Sequence, residues 1–212
     1  MKIFLFGGAE GQVEIELKLI EKIINDSGAN QVLLIPFARI QSEKTKEEWR
    51  GDWFHRYMQL PGVEYLNAEN EGDIAKARSP LIFISGGSES ARLAKKIKSN
   101  PRLLTLIKSS SIIIGESAGA KVLGEFLRAK EGGGPYQIIS GLGIIKDTII
   151  EPHFTATKRE AILVDELKTT KVRYGIGIDS LTGMEFELDE FPEKYKTIGV
   201  GSVKIVTNNS FL

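Results

Sequence analysis

Residues 112–120 read Ile-Ile-Ile-Gly-Glu-Ser-Ala-Gly-Ala, which sets Ser117 inside Gly-x-Ser-x-Gly straight after an apolar β-branched run. A segment of this kind presents a serine hydroxyl on a tight strand-to-helix elbow, and Gly115, Ala118, Gly119 and Ala120 are small enough to let the helix start against the sheet. A serine attacks a carbonyl at neutral pH only when a base takes its proton and backbone donors hold the oxyanion that forms. The chain has two histidines, His55 and His153. His153 follows Ile149-Ile150-Glu151-Pro152, where the proline ends an apolar strand and exposes the next side chain, so it is the expected base. His55, in Trp-Phe-His-Arg-Tyr, reads as part of an aromatic helix face. Oxyanion donors are expected from the amide of Ala118, just after the nucleophile, and from Gly87 in the neighbouring Ser85-Gly86-Gly87 turn. The plain alternative is a Gly/Ala-rich packing turn and a strand-end histidine with no chemistry between them.

Residue order discriminates between serine-hydrolase classes. In α/β-hydrolases the acid lies between serine and histidine, and histidine comes last. Here either Asp147 or Glu151 serves within the short interval from Ser117 to His153, or the order is serine, histidine, acid.

These residues need a scaffold, and the composition bounds it. With 212 residues, 42% apolar and 26% charged, the chain is long enough for a sizeable core and reads as one α/β domain over residues 1–212. Basic and acidic residues balance at 28 each and no Lys/Arg block forms a phosphate-binding stripe, which argues against nucleic acid as partner. The lack of cysteine removes thiolate nucleophiles, disulfides and Cys-ligated zinc, and fits a cytoplasmic setting. The apolar run at the N-terminus ends at Gly7-Gly8, too short for a signal h-region or a spanning helix, so no membrane association is expected.

Short β-branched runs alternate with amphipathic stretches, the pattern of a wound α/β sheet. Strands are expected at Ile3–Phe6, Gln31–Pro36, Leu81–Ile84 and Ile112–Ile114, with helices at Val13–Asp26, Ser42–Met58, Ala91–Lys98 and, continuing the elbow, Lys121–Leu127. Beyond the glycine-rich loop Glu131–Pro135, whose glycines permit movement over a substrate, the pattern is richer in strand. Ile144–Ile150, Tyr174–Ile178, Met184–Leu188 and Val203–Val206 read as strands and Lys158–Leu167 as a helix, so antiparallel pairs should join the parallel sheet. Ligands of such sheets sit beyond the carboxyl ends of the strands, which puts Gly7-Gly8, Gly86-Gly87 and Gly115–Gly119 on one rim. The aromatic stretch Trp49–Met58 reads as core, as a homodimer contact, or as a docking face for a partner.

Gly115–Ala120, with Gly86-Gly87 upstream and Pro152-His153-Phe154 and Gly175-Ile176-Gly177-Ile178-Asp179 downstream, resembles the dipeptidase E and cyanophycinase family of serine peptidases over about residues 3–206. The resemblance implies a three-layer fold of the class I glutamine amidotransferase type: a mostly parallel central sheet with helices on both faces and a strand-rich C-terminal part. It also implies hydrolysis of small peptides at aspartyl residues, with Ser117 as nucleophile, His153 as base and the amides of Gly87 and Ala118 as oxyanion donors. No cofactor or metal is implied.

Three departures stand out. The family's glutamate after Gly-Ile-Gly-Ile-Asp is replaced by Ser180. Asp179, the neighbour, can replace it only if the strand ends or twists there, because adjacent strand residues face opposite ways. Glu151, where the family usually carries a substrate-pocket aspartate, is another possible orienter. The family's Arg-x-Arg-x-x-Arg after His-Phe reads Thr157, Arg159 and Ile162, and Gly-Gly is followed by Ser88-Glu89. One guanidinium instead of three weakens the hold on an acidic substrate, whereas Glu89 favours a cationic group. Glu89, Glu151, Arg159 and Ser180 are thus the expected substrate-side residues. Two readings follow: a serine hydrolase acting on a small peptide or amide, or a family member impaired by loss of the acid that binds a small amino-acid derivative.

Overall fold

The computed structural model describes residues 1–39, 58–130 and 134–208. Seven strands form the first sheet in the order β11-β10-β1-β5-β4-β2-β3: Lys196–Gly199, Thr182–Glu187, Lys2–Phe6, Ile112–Glu116, Leu81–Ile84, Gln31–Ile35 and Glu64–Asn67. The five from β1 to β3 run parallel; β10 and β11 add antiparallel pairs at one edge, as the sequence pattern implies.

Alternation along these strands feeds two cores. Phe4, Phe6, Val32, Leu34, Phe83 and Ile114 face helix α1, Val13–Ser27, whose Leu17, Ile20 and Ile24 fall on one stripe. Gly28 ends that helix in the left-handed conformation at φ 67°, a geometry without penalty for glycine. On the other face, Ile3, Leu5, Leu33, Ile35, Ile82, Ile84 and Ile113 are covered by four helices: α2, Glu71–Lys76; α3, Ser90–Lys98; α4, Pro101–Ser109; and α5, Ala118–Leu123. Asn70 and Asn100 cap α2 and α4 through their side-chain carbonyls, accepting from Gly72 N and Leu103 N.

A second sheet departs from the expectation of a single sheet. Its order is β12-β9-β8-β6-β7: Val203–Thr207, Tyr174–Ile178, Ile145–Pro152, Gly124–Ala129 and Gln137–Ser140. Ile145, Ile150, Ile176 and Ile178 join the core that contains α5, while Ile149 on the opposite face packs with Leu163 and Leu167 of helix α6, Glu160–Thr170. The elbow helix is therefore shorter than the pattern suggests. Lys121–Leu127 is helical only to Leu123, because Gly124 breaks it and the chain continues as β6 between β7 and β8. The segment Ser42–Met58 lies outside the described residues except for Met58, which is fully buried, so the homodimer and docking readings of Trp49–Met58 fall there too. Residues 131–133 of the glycine-rich loop also lie outside them. No described helix is long and apolar enough to cross a membrane.

Candidate active site

Ser117 sits between β5 and α5 with φ 50° and ψ −106°, a conformation L-residues seldom take. Surrounding contacts impose it. The Ser117 amide donates to Phe6 O at 2.9 Å, and Ser117 O accepts from Lys121 N at 3.0 Å. A Cβ on Gly119 would lie 1.9 Å from Ile84 O, so only glycine lets the helix begin this close to β4. The turn leaves the Ser117 hydroxyl partly exposed on a buried base.

His153 arrives from the second sheet, just past the end of β8, and its own φ is 52°. Its amide donates to Gly7 O at 3.0 Å, which ties the histidine loop to the turn after β1. Its ring lies against Gly8, where a Cβ would come within 2.3 Å of Cε1. Ser117 Oγ and His153 Nε2 are 3.0 Å apart. The other ring nitrogen, Nδ1, lies 3.1 Å from Ser180 Oγ and 3.2 Å from Glu10 Oε1. Burial holds the imidazole pKa below its ordinary value; the Arg159 guanidinium acts in the same direction, and the carboxylates of Glu10 and Glu116 oppose both. The ring is therefore mainly neutral at pH 7, the state in which it can accept a proton.

The three glycine turns share one rim, as their places at strand ends imply. A Cβ on Gly86 would meet Glu116 Oε1 at 2.7 Å and Ser117 Cβ at 3.0 Å, so the Gly86-Gly87 turn lies beside the nucleophile. The Gly86 amide is taken by Glu116 Oε2 at 2.6 Å. The amides of Gly87 and Ala118 have no acceptor among the described residues. Gly87 has φ 147°, and a Cβ there would lie 2.4 Å from Ala38 O. Beneath the rim, Glu16 Oε1 accepts from Gly8 N at 3.1 Å. Burial and the nearby Glu116 push the Glu16 pKa up to about 9, so it is protonated at neutral pH.

Asp179, the expected acid, bonds to Thr155 and Ser202 and not to His153. Strand β9 ends at Ile178, and the Asp179 carboxylate turns away to accept from Thr155 N at 3.0 Å, Ser202 N at 3.0 Å and Ser202 Oγ at 2.7 Å. These bonds lower its pKa against the effect of burial. It holds two loops together while Ser180, the next residue, faces the imidazole. Asp147 accepts from Arg173 N, and Glu125 Oε2 accepts from the Asp147 amide. Glu151 is fully buried and ion-paired with Lys121 Nζ at 2.9 Å and with Arg159. Arg128 and Glu166 extend this cluster, Arg128 Nε lying 2.8 Å from Glu166 and 3.8 Å from Glu151. Burial together with Glu151 pushes Glu166 up to about 8. Glu151 is thus an internal counter-ion and not an open substrate contact, because its carboxylate has no solvent-facing side. Arg159 also donates from Nε to Thr157 Oγ1 at 2.6 Å. Glu89 is half-buried at the start of α3, and its amide donates to Ala38 O at 2.9 Å. Glu10 is the site residue the sequence pattern misses. It follows Gly7-Gly8 on the rim, and that position was its only signal. Among the described residues no group of three or more ligating side chains comes together to hold a metal.

The model of peptidase family S51 matches residues 3–192. The chain belongs to peptidase family S51. It is a serine-type peptidase, as the elbow motif and the resemblance imply. A cyanophycinase from Geminocystis herdmanii (strain PCC 6308) is 36% identical over 224 aligned positions, covering 96% of this chain and 79% of that protein. A cyanophycinase from Synechococcus elongatus is 30% identical, covering 96% of this chain and 67% of the relative. Among solved structures, a peptidase from an acI-B1 actinobacterium superposes with a TM-score of 0.68 at 20% identity, covering 99% of this chain and 95% of the other. A putative peptidase E protein from Listeria monocytogenes EGD-e gives 0.59 at 20% identity, covering 94% and 98%. These structures share the fold of this S51 member.

Proposed function

We propose that this S51 peptidase is a cytoplasmic hydrolase of small peptides or amides that works through an acyl-enzyme on Ser117. The reading is carried by one observation: Ser117 Oγ, on a strained elbow, lies 3.0 Å from His153 Nε2. His153 takes the proton of Ser117 as Oγ adds to the substrate carbonyl, and the amides of Gly87 and Ala118 receive the oxyanion. Collapse of the tetrahedral species expels the amine, which leaves with the proton from His153. A water molecule, deprotonated by the same imidazole, then attacks the acyl-serine and releases the acid. Preorganised backbone donors are worth about 3–4 kcal/mol each to such a transition state.

On the substrate side, the guanidinium of Arg159 is engaged by Glu151 and Thr157, and Thr157 and Ile162 supply no further cation. Glu89, at the edge of the oxyanion turn, instead suits an amine. We therefore propose substrates that carry a positive group, a free α-amine or a basic side chain, in preference to aspartyl peptides.

A dipeptide panel tests both statements. Basic dipeptides should be hydrolysed faster than aspartyl ones, and Ser117→Ala and His153→Ala should each lower kcat by at least about 10⁴-fold. Full turnover by Ser117→Ala would remove the nucleophile. Saturable binding of a dipeptide without turnover by the unaltered protein would select the amino-acid-derivative binder instead.

A further inference from the structure

The hydrolytic reading leaves Glu10 without a role, although its carboxylate is beside the base. We propose that Glu10 is the positioning acid of the Ser117–His153 pair, supplying from the turn after β1 the carboxylate that is missing at Ser180. This inference rests on the preceding reading of Ser117 and His153.

Glu10 Oε1 lies 3.2 Å from His153 Nδ1, on the side of the ring opposite Ser117. A carboxylate only accepts hydrogen bonds, so Nδ1 must carry the proton and Nε2 keeps the lone pair that faces the serine hydroxyl. Ser180 Oγ, at 3.1 Å, offers a second acceptor to the same N–H without charge. When the serine proton moves to Nε2, the imidazolium that forms is balanced by the carboxylate of Glu10 beside Nδ1.

The position of Glu10 is fixed by the backbone. Gly7 N donates to Thr182 O at 2.9 Å, Gly7 O accepts from His153 N at 3.0 Å, and Gly8 O accepts from Leu181 N at 2.9 Å. The turn that carries Glu10 is thus stitched to the histidine loop and to the turn that carries Ser180. It closes with Gln12 N donating to Ala9 O at 2.8 Å, which leaves Glu10 at φ 46°. Asp179 is unavailable for the task, since Thr155 and Ser202 occupy both its oxygens. The charged groups facing the imidazole are Glu10 from the turn after β1, Glu116 from β5 and Arg159 from the loop before α6. Of these, Glu10 is the one within hydrogen-bond reach of the ring. Its side chain is 39% exposed, so its effect should be smaller than that of a buried triad acid.

The test measures the rate at which a small fluorophosphonate labels the protein, by intact mass, from about pH 5 to about pH 8, the window in which histidine titrates. Glu10→Gln should label about 10- to 100-fold more slowly at neutral pH. Its acid limb should shift to lower pH, because the ring loses the nearer of the two carboxylates that favour its charge, while burial and Arg159 continue to disfavour it. Glu10→Asp, which retains the charge, should keep the acid limb close to that of the unaltered protein. An unchanged rate and limb in Glu10→Gln would overturn the assignment. So would a slower rate with an unmoved limb, which marks a purely structural role. If the unaltered protein forms no adduct on Ser117, the hydrolase reading itself fails and this inference fails with it.

Discussion

His153 joins two demands at the scale of single residues: it must be buried enough to stay neutral and close enough to Ser117 to act. Its lowered pKa sets the sign of the pH dependence. The reactive form is the neutral one, so kcat/KM should fall as pH drops through the folded-state pKa of His153, with an acid limb below 6.5, the ordinary histidine value. A pH–rate profile whose limb lies above that value would contradict the assignment. The contact between Ser117 and His153 was legible in the sequence because a glycine-framed elbow and a histidine after proline each have local signatures. The approach of Glu10 was not. Glu10 reaches His153 from 143 positions earlier in the chain (153 − 10), through a turn whose conformation depends on contacts with two other loops. No short-range pattern reports such a meeting. Asp179 misled for a related reason: the end of β9 decides which of two neighbours faces the ring, and hydrogen bonds to Thr155 and Ser202 decided against it.

Among the elements, the elbow depends on close approach of α5 to the first sheet. A Cβ on Gly119 would collide with the backbone carbonyl of Ile84, which cannot swing aside as a side chain can. Gly119→Ala should therefore destabilise the protein by about 1–3 kcal/mol, read as a lower urea midpoint, and should slow turnover by displacing Ser117. Unchanged stability and turnover would show that α5 can shift without cost. Most strands and α1 were readable from alternation and from the i, i+3, i+7 stripe of Leu17, Ile20 and Ile24. The switch from helix to strand at Gly124 was not. Lys121–Leu127 suits a helix by local preference, and its second half becomes a strand only because β7 and β8 offer hydrogen-bonding edges.

At the scale of the whole molecule, the protein stacks α1, the first sheet, a layer of helices, the second sheet and α6. Separate sheets were beyond sequence patterning, since strands of both share the same Ile/Val-rich composition. Two buried carboxyl groups bear on stability. Glu16 rises from 4.5 to about 9 in the folded state, and Glu166 from 4.5 to about 8. Between the unfolded and folded values these two groups hold more protons in the folded chain, so their contribution to stability is full below about pH 4.5 and is lost progressively as pH rises through 8 to 9. Urea unfolding at pH 6 and pH 9 should show this loss, and Glu16→Gln, which stays neutral, should reduce it. An equal loss in Glu16→Gln would assign it to other groups.

The layered arrangement also explains why the reactive pair exists only in the folded molecule: Ser117 belongs to the first sheet and His153 to the second. Intact-mass spectrometry after reaction with a small fluorophosphonate tests that pairing most directly. A single adduct on Ser117, absent in Ser117→Ala and strongly reduced in His153→Ala, is the predicted result. An adduct that forms equally well without His153, or on another residue, would contradict the account.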